Sequence, residues 1–502
     1  MKLFRGFALT GLVVIAVTAF SLVSPAKIGG VQLGRANIWQ GLLEYDDADL
    51  SDEFTPDFES LCSLAVNPAE ELPVETSFRW DADSLTLGKT YRIAFLGDSF
   101  IEGDILVGDL RESLQSEFGG GGPGFVPCEL PFGVYRHTAK VRGKGWKKYG
   151  ILKYKGVPER LRDNFLFSGY MACGGKGAEM TWERGSGFGH IDSSDVCRIF
   201  FMNRSDCSLE LRIDGGRSRT FSVKGAPVLR QIIVGADTDT LGLRVLSGSL
   251  VCYGASFESS RGGVQADNFS VRSNNGGAMF RSNASLNRQF AEMVGYDAVV
   301  LQYGLNIMQP DKSNYTKYQK QVEDMIQFAK ISFPGSEIVV MGVTDRGVKR
   351  DNDTTYRSIN SAPALTRHQK AAADSQGALF WNTVEAMERH GGLETFVSNG
   401  WMASDRVHFK FSGGRVLAEE MSGFWEEMIA RKVKESRKES VIETVEADSS
   451  MFGTAEVLGG VSMIAGTRTI TADWQRGNGP VNGTTAAGQV TGAVRKSEKG
   501  VR

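Results

Sequence analysis

Five histidines occur in the 502-residue chain: His137, His190, His368, His390 and His408. A serine nucleophile in acyl chemistry needs an imidazole base and a carboxylate to orient that base. His408 alone has an aspartate three residues before it, in Asp405-Arg-Val-His408. On a tight turn that spacing lets the carboxylate reach back to the imidazole N–H. Ser99, in Gly97-Asp-Ser99, is the candidate nucleophile, and its plainer role would be a helix N-cap. Asn306, in Gly304-Leu-Asn306, could donate a side-chain N–H to a developing oxyanion. Gly276 and Gly277, in Ser273-Asn-Asn-Gly-Gly277, could present a backbone N–H to the same atom. Turns also explain Asn306 and the glycine pair.

These residues must be carried by elements that bring them together. Residues 91–96 form an apolar run ended by Gly97-Asp-Ser99, which reads as a buried strand and a tight turn. Ile105, Leu106, Leu110, Leu114 and Phe118 then recur at helical spacing, and the glycines at 119–122 stop the helix. Strand, turn and helix open an α/β unit, and ligands bind at the carboxyl ends of its strands. The N-terminus of the helix would lend partial positive charge to an oxyanion there.

After residue 290 the same texture returns. Strands are expected at 297–302, 337–341 and 378–381, with helices at 315–333, 363–376 and 414–429. Between the two parts lie alternating stretches at 197–202, 209–213, 220–223, 229–234 and 241–246, spaced about ten residues apart by Gly, Asp and Ser turns, as in an antiparallel sandwich. The resulting division is an amino-terminal segment 1–26, a spacer or packing segment 27–88, a discontinuous α/β domain 89–135 plus 263–436, an inserted β-sandwich 136–262, and a flexible tail 437–502.

Composition bounds the function. Lys plus Arg total 57 and Asp plus Glu 59, a net charge of −2, so no global basic field is available to hold nucleic acid. None of the six cysteines forms a C-x-x-C pair, which leaves a zinc ribbon or a thioredoxin-type site without support. Gly88-Lys-Thr90 has Asp83 where a phosphate loop needs its first glycine, and it precedes a strand. Ile101 stands where a G-x-S-x-G elbow would end. Asp46, Asp47 and Asp49 fall in an acidic run and read as a solvated face. Trp182 and Tyr253 read as core aromatics before sugar-stacking ones. Lys2 and Arg5 precede an apolar run, 6–23, followed by Ser24-Pro25-Ala26. That is the layout of an export signal, cleaved or kept as a single anchor over residues 6–25, and it implies a periplasmic or cell-envelope location.

Taken in chain order, Ser99, Gly276 or Gly277, Asn306 and His408 resemble the four blocks of the SGNH, or GDSL, hydrolases, over roughly residues 89–135 and 263–430. One departure is Ile307, where many members carry Asp or Glu after the asparagine. The stretches 97–104, 253–258 and 342–346 look like a branch of exported O-acetyl esterases and O-acetyltransferases whose insertion resembles a carbohydrate-binding module. The resemblance implies a three-layer, flavodoxin-like α/β/α domain with an inserted antiparallel β-sandwich. It implies catalysis by Ser99, Asp405 and His408, with an oxyanion held by the Ser99 N–H, a glycine N–H of 276 or 277, and Asn306. No metal or cofactor is expected. The expected substrate is an acetylated glycan or peptidoglycan. The acyl group would pass to water, or to a sugar hydroxyl if a membrane partner supplies acetyl groups. A non-catalytic glycan-binding envelope protein is the remaining alternative.

Overall fold

The computed structural model describes residues 27–28, 31–32, 75–81, 87–130, 136–349 and 356–451, with side chains from 75 to 434. The amino-terminal apolar run, the acidic run with Asp46, Asp47 and Asp49, and Cys62 lie outside the described residues.

In chain order, β1 (Ser77–Trp80) is followed by β2 (Thr90–Gly97), α1 (Val107–Phe118) and β3 (Gly124–Pro127). Eight strands come next: β4 (Ala139–Gly150), β5 (Tyr170–Arg184), β6 (Val196–Asn203), β7 (Cys207–Ile213), β8 (Arg217–Val223), β9 (Ala226–Gly235), β10 (Thr240–Ser247) and β11 (Ser249–Glu258). The α/β texture resumes with β12 (Gly263–Ser270), α2 (Ala284–Val294), β13 (Ala298–Gln302), α3 (Thr316–Ser332), β14 (Glu337–Met341), α4 (Ala362–Gln376) and β15 (Leu379–Trp381). Two short helices, α5 (Thr383–Arg389) and α6 (Gly392–Ser398), precede the long α7 (Phe411–Met451).

One sheet is wholly parallel, in the order β12-β2-β13-β14-β15. Numbered along the chain, that is the 2-1-3-4-5 order of the flavodoxin-like fold. Successive residues of a strand point to opposite faces, yet all of Ala298–Gln302 and seven of the eight residues of β2 are buried. Both faces of the sheet are therefore covered, as an all-parallel sheet requires. Local signals set the helix ends. The Asn283 side chain accepts from the Leu286 N–H at the start of α2, and left-handed glycines, Gly295 and Gly377, close α2 and α4.

The second sheet has ten strands. All its neighbouring pairs are antiparallel except β1 with β9. Strands β7 and β10 alternate buried with half-buried residues, as their sequences do. Trp182 and Tyr253 are fully buried. Two strands come from outside 136–262: β1 pairs with β9, and β3 pairs with β11. The sequence put β3 with the α/β domain because a four-residue segment has no period long enough to assign it. The carboxyl end differs too. The helix expected over 414–429 starts at Phe411 and runs to Met451, so 437–451 is helical backbone where a flexible tail was expected. Taken as one block, 437–502 is rich in Gly, Ser and Thr, but 437–451 itself holds no glycine and continues a helix that begins in well-packed sequence.

Candidate active site

Ser99 follows β2, the strand at the centre of the chain-order reversal, and Asn306 follows its neighbour β13. The two residues thus flank the switch point, at the carboxyl ends of the strands, where open α/β sheets bind ligands. Gly97 is in register with both Ser270 and Gln302. A side chain at Gly97 would lie 2.7 Å from Gln302 Oε1 and from Ile101, so only glycine lets the turn close. The Asp98 N–H donates to that same Gln302 Oε1 at 3.2 Å.

His408 Nε2 lies 3.1 Å from Ser99 Oγ, and His408 Nδ1 lies 2.7 Å from Asp405 Oδ2. Asp405 Oδ1 accepts from the N–H groups of Val407 and His408 at 2.9 and 3.0 Å. Burial pushes the Asp405 carboxyl up, but His408 and these backbone donors outweigh it and hold the group at about 2. The carboxylate therefore stays ionised beside the ring, and Nδ1–H is the tautomer that suits it. The other histidines are engaged elsewhere: His137 stacks on Phe411, His190 meets Glu112, His368 meets Gln319, and His390 meets Glu420.

Asn306 Nδ2 donates to Asp98 Oδ2 at 3.1 Å and to the Asn274 carbonyl at 3.0 Å. Asp98 is buried, and burial lifts its carboxyl to about 7 against the Phe100 N–H, His408 and Gln302. The two glycines behave differently from expectation. The Gly276 N–H donates to Asn274 Oδ1 at 2.9 Å, and the Gly277 N–H donates to Asn275 Oδ1 at 3.0 Å. Both N–H groups are taken up by the short turns that asparagine side chains favour, so neither is open to a ligand.

Ser273, which the sequence reading passed over, has the open group. Its φ is +60°, and its N–H makes no hydrogen bond among the described residues; nor does that of Ser99. Two ties fix the chain on either side of Ser273: Arg272 pairs with Glu102 at 2.7 Å, and the Asn274 carbonyl takes the Asn306 amide. Polar residues ahead of the glycine pair were the available signal, but a left-handed serine is uncommon enough to escape any pattern.

A narrow cleft reaches Glu102, three residues after Ser99. Glu102, Asn268, Ser270 and Arg136 line it, together with Glu129 and Tyr170 of the second sheet's segments. Among the described residues no group of three or more His, Cys, Asp or Glu side chains could hold a metal ion. Cys128, Cys173, Cys197, Cys207 and Cys252 are free thiols.

No family model matches the sequence, and no curated protein does. Among solved structures, a peptidoglycan O-acetylesterase superposes with a TM-score of 0.55 at 21% identity, covering 74% of this chain and 96% of its own. A lipase/acylhydrolase from Enterococcus faecalis (TM-score 0.24, 14% identity, 32% and 77% of the two chains) matches less well. So does a family two carbohydrate esterase from Cellvibrio japonicus (0.24, 6%, 58% and 99%). From its 2-1-3-4-5 sheet and its likeness to the first of these, the chain has a flavodoxin-like α/β fold shared with that O-acetylesterase.

Proposed function

We propose that this chain is a serine esterase that removes short acyl groups from an O-acylated glycan. The observation that carries the reading is the continuous relay from Asp405 through His408 to Ser99, at 2.7 and 3.1 Å. The fold shared with a peptidoglycan O-acetylesterase supports the glycan class. The charged-then-apolar amino terminus supports work outside the cytoplasm.

In this mechanism His408 Nε2 takes the Ser99 proton as Oγ bonds to the acyl carbon. The carbonyl oxygen becomes an oxyanion. The Ser99 and Ser273 N–H groups donate to it, in place of the glycine donors expected from sequence. An oxyanion is a stronger acceptor than a neutral carbonyl, so it draws the Asn306 N–H away from Asn274. Asp405 fixes the tautomer and stabilises the imidazolium. The intermediate collapses, the C–O bond to the sugar breaks, and His408 returns its proton to the departing sugar oxygen. Water then attacks the acyl-serine by the same steps and frees the carboxylic acid.

The test is hydrolysis of a small acetyl ester. Ser99→Ala should lower kcat/KM by about 10³-fold or more, and Asn306→Ala by about 10²–10³-fold. Full activity in Ser99→Ala would end the reading. Adding an acceptor glycan separates transferase from esterase: unchanged release of free acetate supports the esterase.

A further inference from the structure

We infer that β4 and the segment after it form a binding strip for an anionic glycan, and that this is the substrate class delivered to Ser99; the inference rests on the glycan-esterase reading. The chain as a whole carries a net charge of −2, yet of the twenty-four residues at 139–162 nine are Lys or Arg and one, Glu159, is acidic. The strip divides in two. At its start, Lys140 and Arg142 are matched by Glu183 on β5, at 3.0 and 3.5 Å. Beyond Gly143 the balance fails. Lys144, Lys147 and Arg160 are exposed and make no ion pair among the described residues.

The backbone adds a second kind of donor. β4 pairs with β5 along one side, and no described strand pairs with its other side. A free strand edge offers N–H and C=O groups, which suit sugar hydroxyls, while the lysines suit ring carboxylates. Lysine on an exposed edge also discourages strands from adding to it. That role would stop with the strand, whereas this charge continues past Gly150 to Arg160.

The strip also leads to the site. Gly150 at its end pairs with Tyr170, and Lys148 bridges to Glu129 at 2.8 Å. Tyr170 and Glu129 line the same cleft as Glu102 and Ser270. Glu102 lies three residues after Ser99, and Ser270 is in register with Gly97. A polymer held along β4 therefore runs towards the nucleophile.

Binding of polygalacturonate, a carboxylated glycan, is compared with that of a neutral galactan by titration calorimetry on the whole protein. Polygalacturonate should bind about tenfold or more tightly, and raising salt to about 0.5 M should remove the difference. The variant K144Q/K147Q/R160Q should lose about tenfold in polygalacturonate affinity, and raise KM on acetylated polygalacturonate, while small-ester kinetics stay unchanged. Equal binding of the two glycans, salt-independent binding, or an unaltered variant would overturn the inference. So would duplex DNA or anionic phospholipid vesicles binding through these residues at least as tightly as polygalacturonate. A protein inert to small esters that still prefers polygalacturonate would sink the esterase reading and leave the strip standing.

Discussion

At the scale of single residues, Ser273 and Asp98 carry consequences of their own. A left-handed serine costs about 1–2 kcal/mol relative to glycine, so a conformation kept at that cost in the proposed oxyanion site points to use of its N–H. Replacing Ser273 by the matching α-hydroxy acid exchanges that N–H for an ester oxygen. We expect kcat on a small ester to fall about 10²-fold with KM little changed, and the same exchange at Gly277 to leave kcat within about threefold. An equal loss at both positions would contradict the assignment. Asp98 bears on stability. Its folded pKa, about 7, stands above its value in the unfolded chain. The folded state therefore keeps a proton that the unfolded state has released, and stability declines as pH rises towards 7. Between about pH 5 and about pH 8 this amounts to about 2–3 kcal/mol. Denaturant midpoints should show Asp98→Asn losing less stability over that range than the parent protein. An identical decline in both would refute it.

At the scale of elements, the turn from β2 to α1 is the costly piece. Gly103, Asp104 and Leu106 all have positive φ, at 70°, 66° and 69°. What holds them is a buried ion cluster. Arg111 of α1 and Arg136 approach Asp104 at 3.0 and 3.3 Å, and Thr138 donates to the same carboxylate. Burial alone would raise the Asp104 carboxyl, but the two guanidiniums hold it well below the usual carboxylate range. Arg111 also donates to the Ala266 carbonyl at 2.6 Å, which ties α1 to β12. Asp104→Asn leaves two buried cations without their counter-charge. It should lower stability by about 3–5 kcal/mol in denaturant titrations, and a loss under about 1 kcal/mol would contradict this role. Periodicity made β2, α1, α3, β14 and α4 legible to within a residue or two of their ends, because each has a clean apolar pattern. It missed β4 and β5, where Lys144, Gly145, Gly174 and Gly175 have poor strand propensity and pairing overrides it. It missed β11 because ten residues with nine buried show no alternation.

At the scale of the molecule, two hydrophobic cores sit side by side and are bridged by charge. Glu258 of β11 meets Arg92 of β2 at 2.6 Å and Arg198 of β6 at 3.2 Å, all buried. Phe200 of β6 joins Phe125 and Phe290 within the larger core. The second sheet is therefore built into the α/β fold and braces β2, the strand that leads to Ser99. That long-range assembly was legible only in part. Asp405, His408 and Ser99 could be named from spacing and order, since each stands beside a strand or turn signal. The proposed oxyanion donors could not, because whether an N–H is free depends on the turns that Asn274 and Asn275 make. The most direct measurement of the account is mass spectrometry of the protein quenched during turnover of an acetyl ester. The account predicts one acetyl group on the tryptic peptide 93–111, at Ser99, and none in Ser99→Ala. Acetate release with no acylated serine, or with the label on another residue, would contradict it.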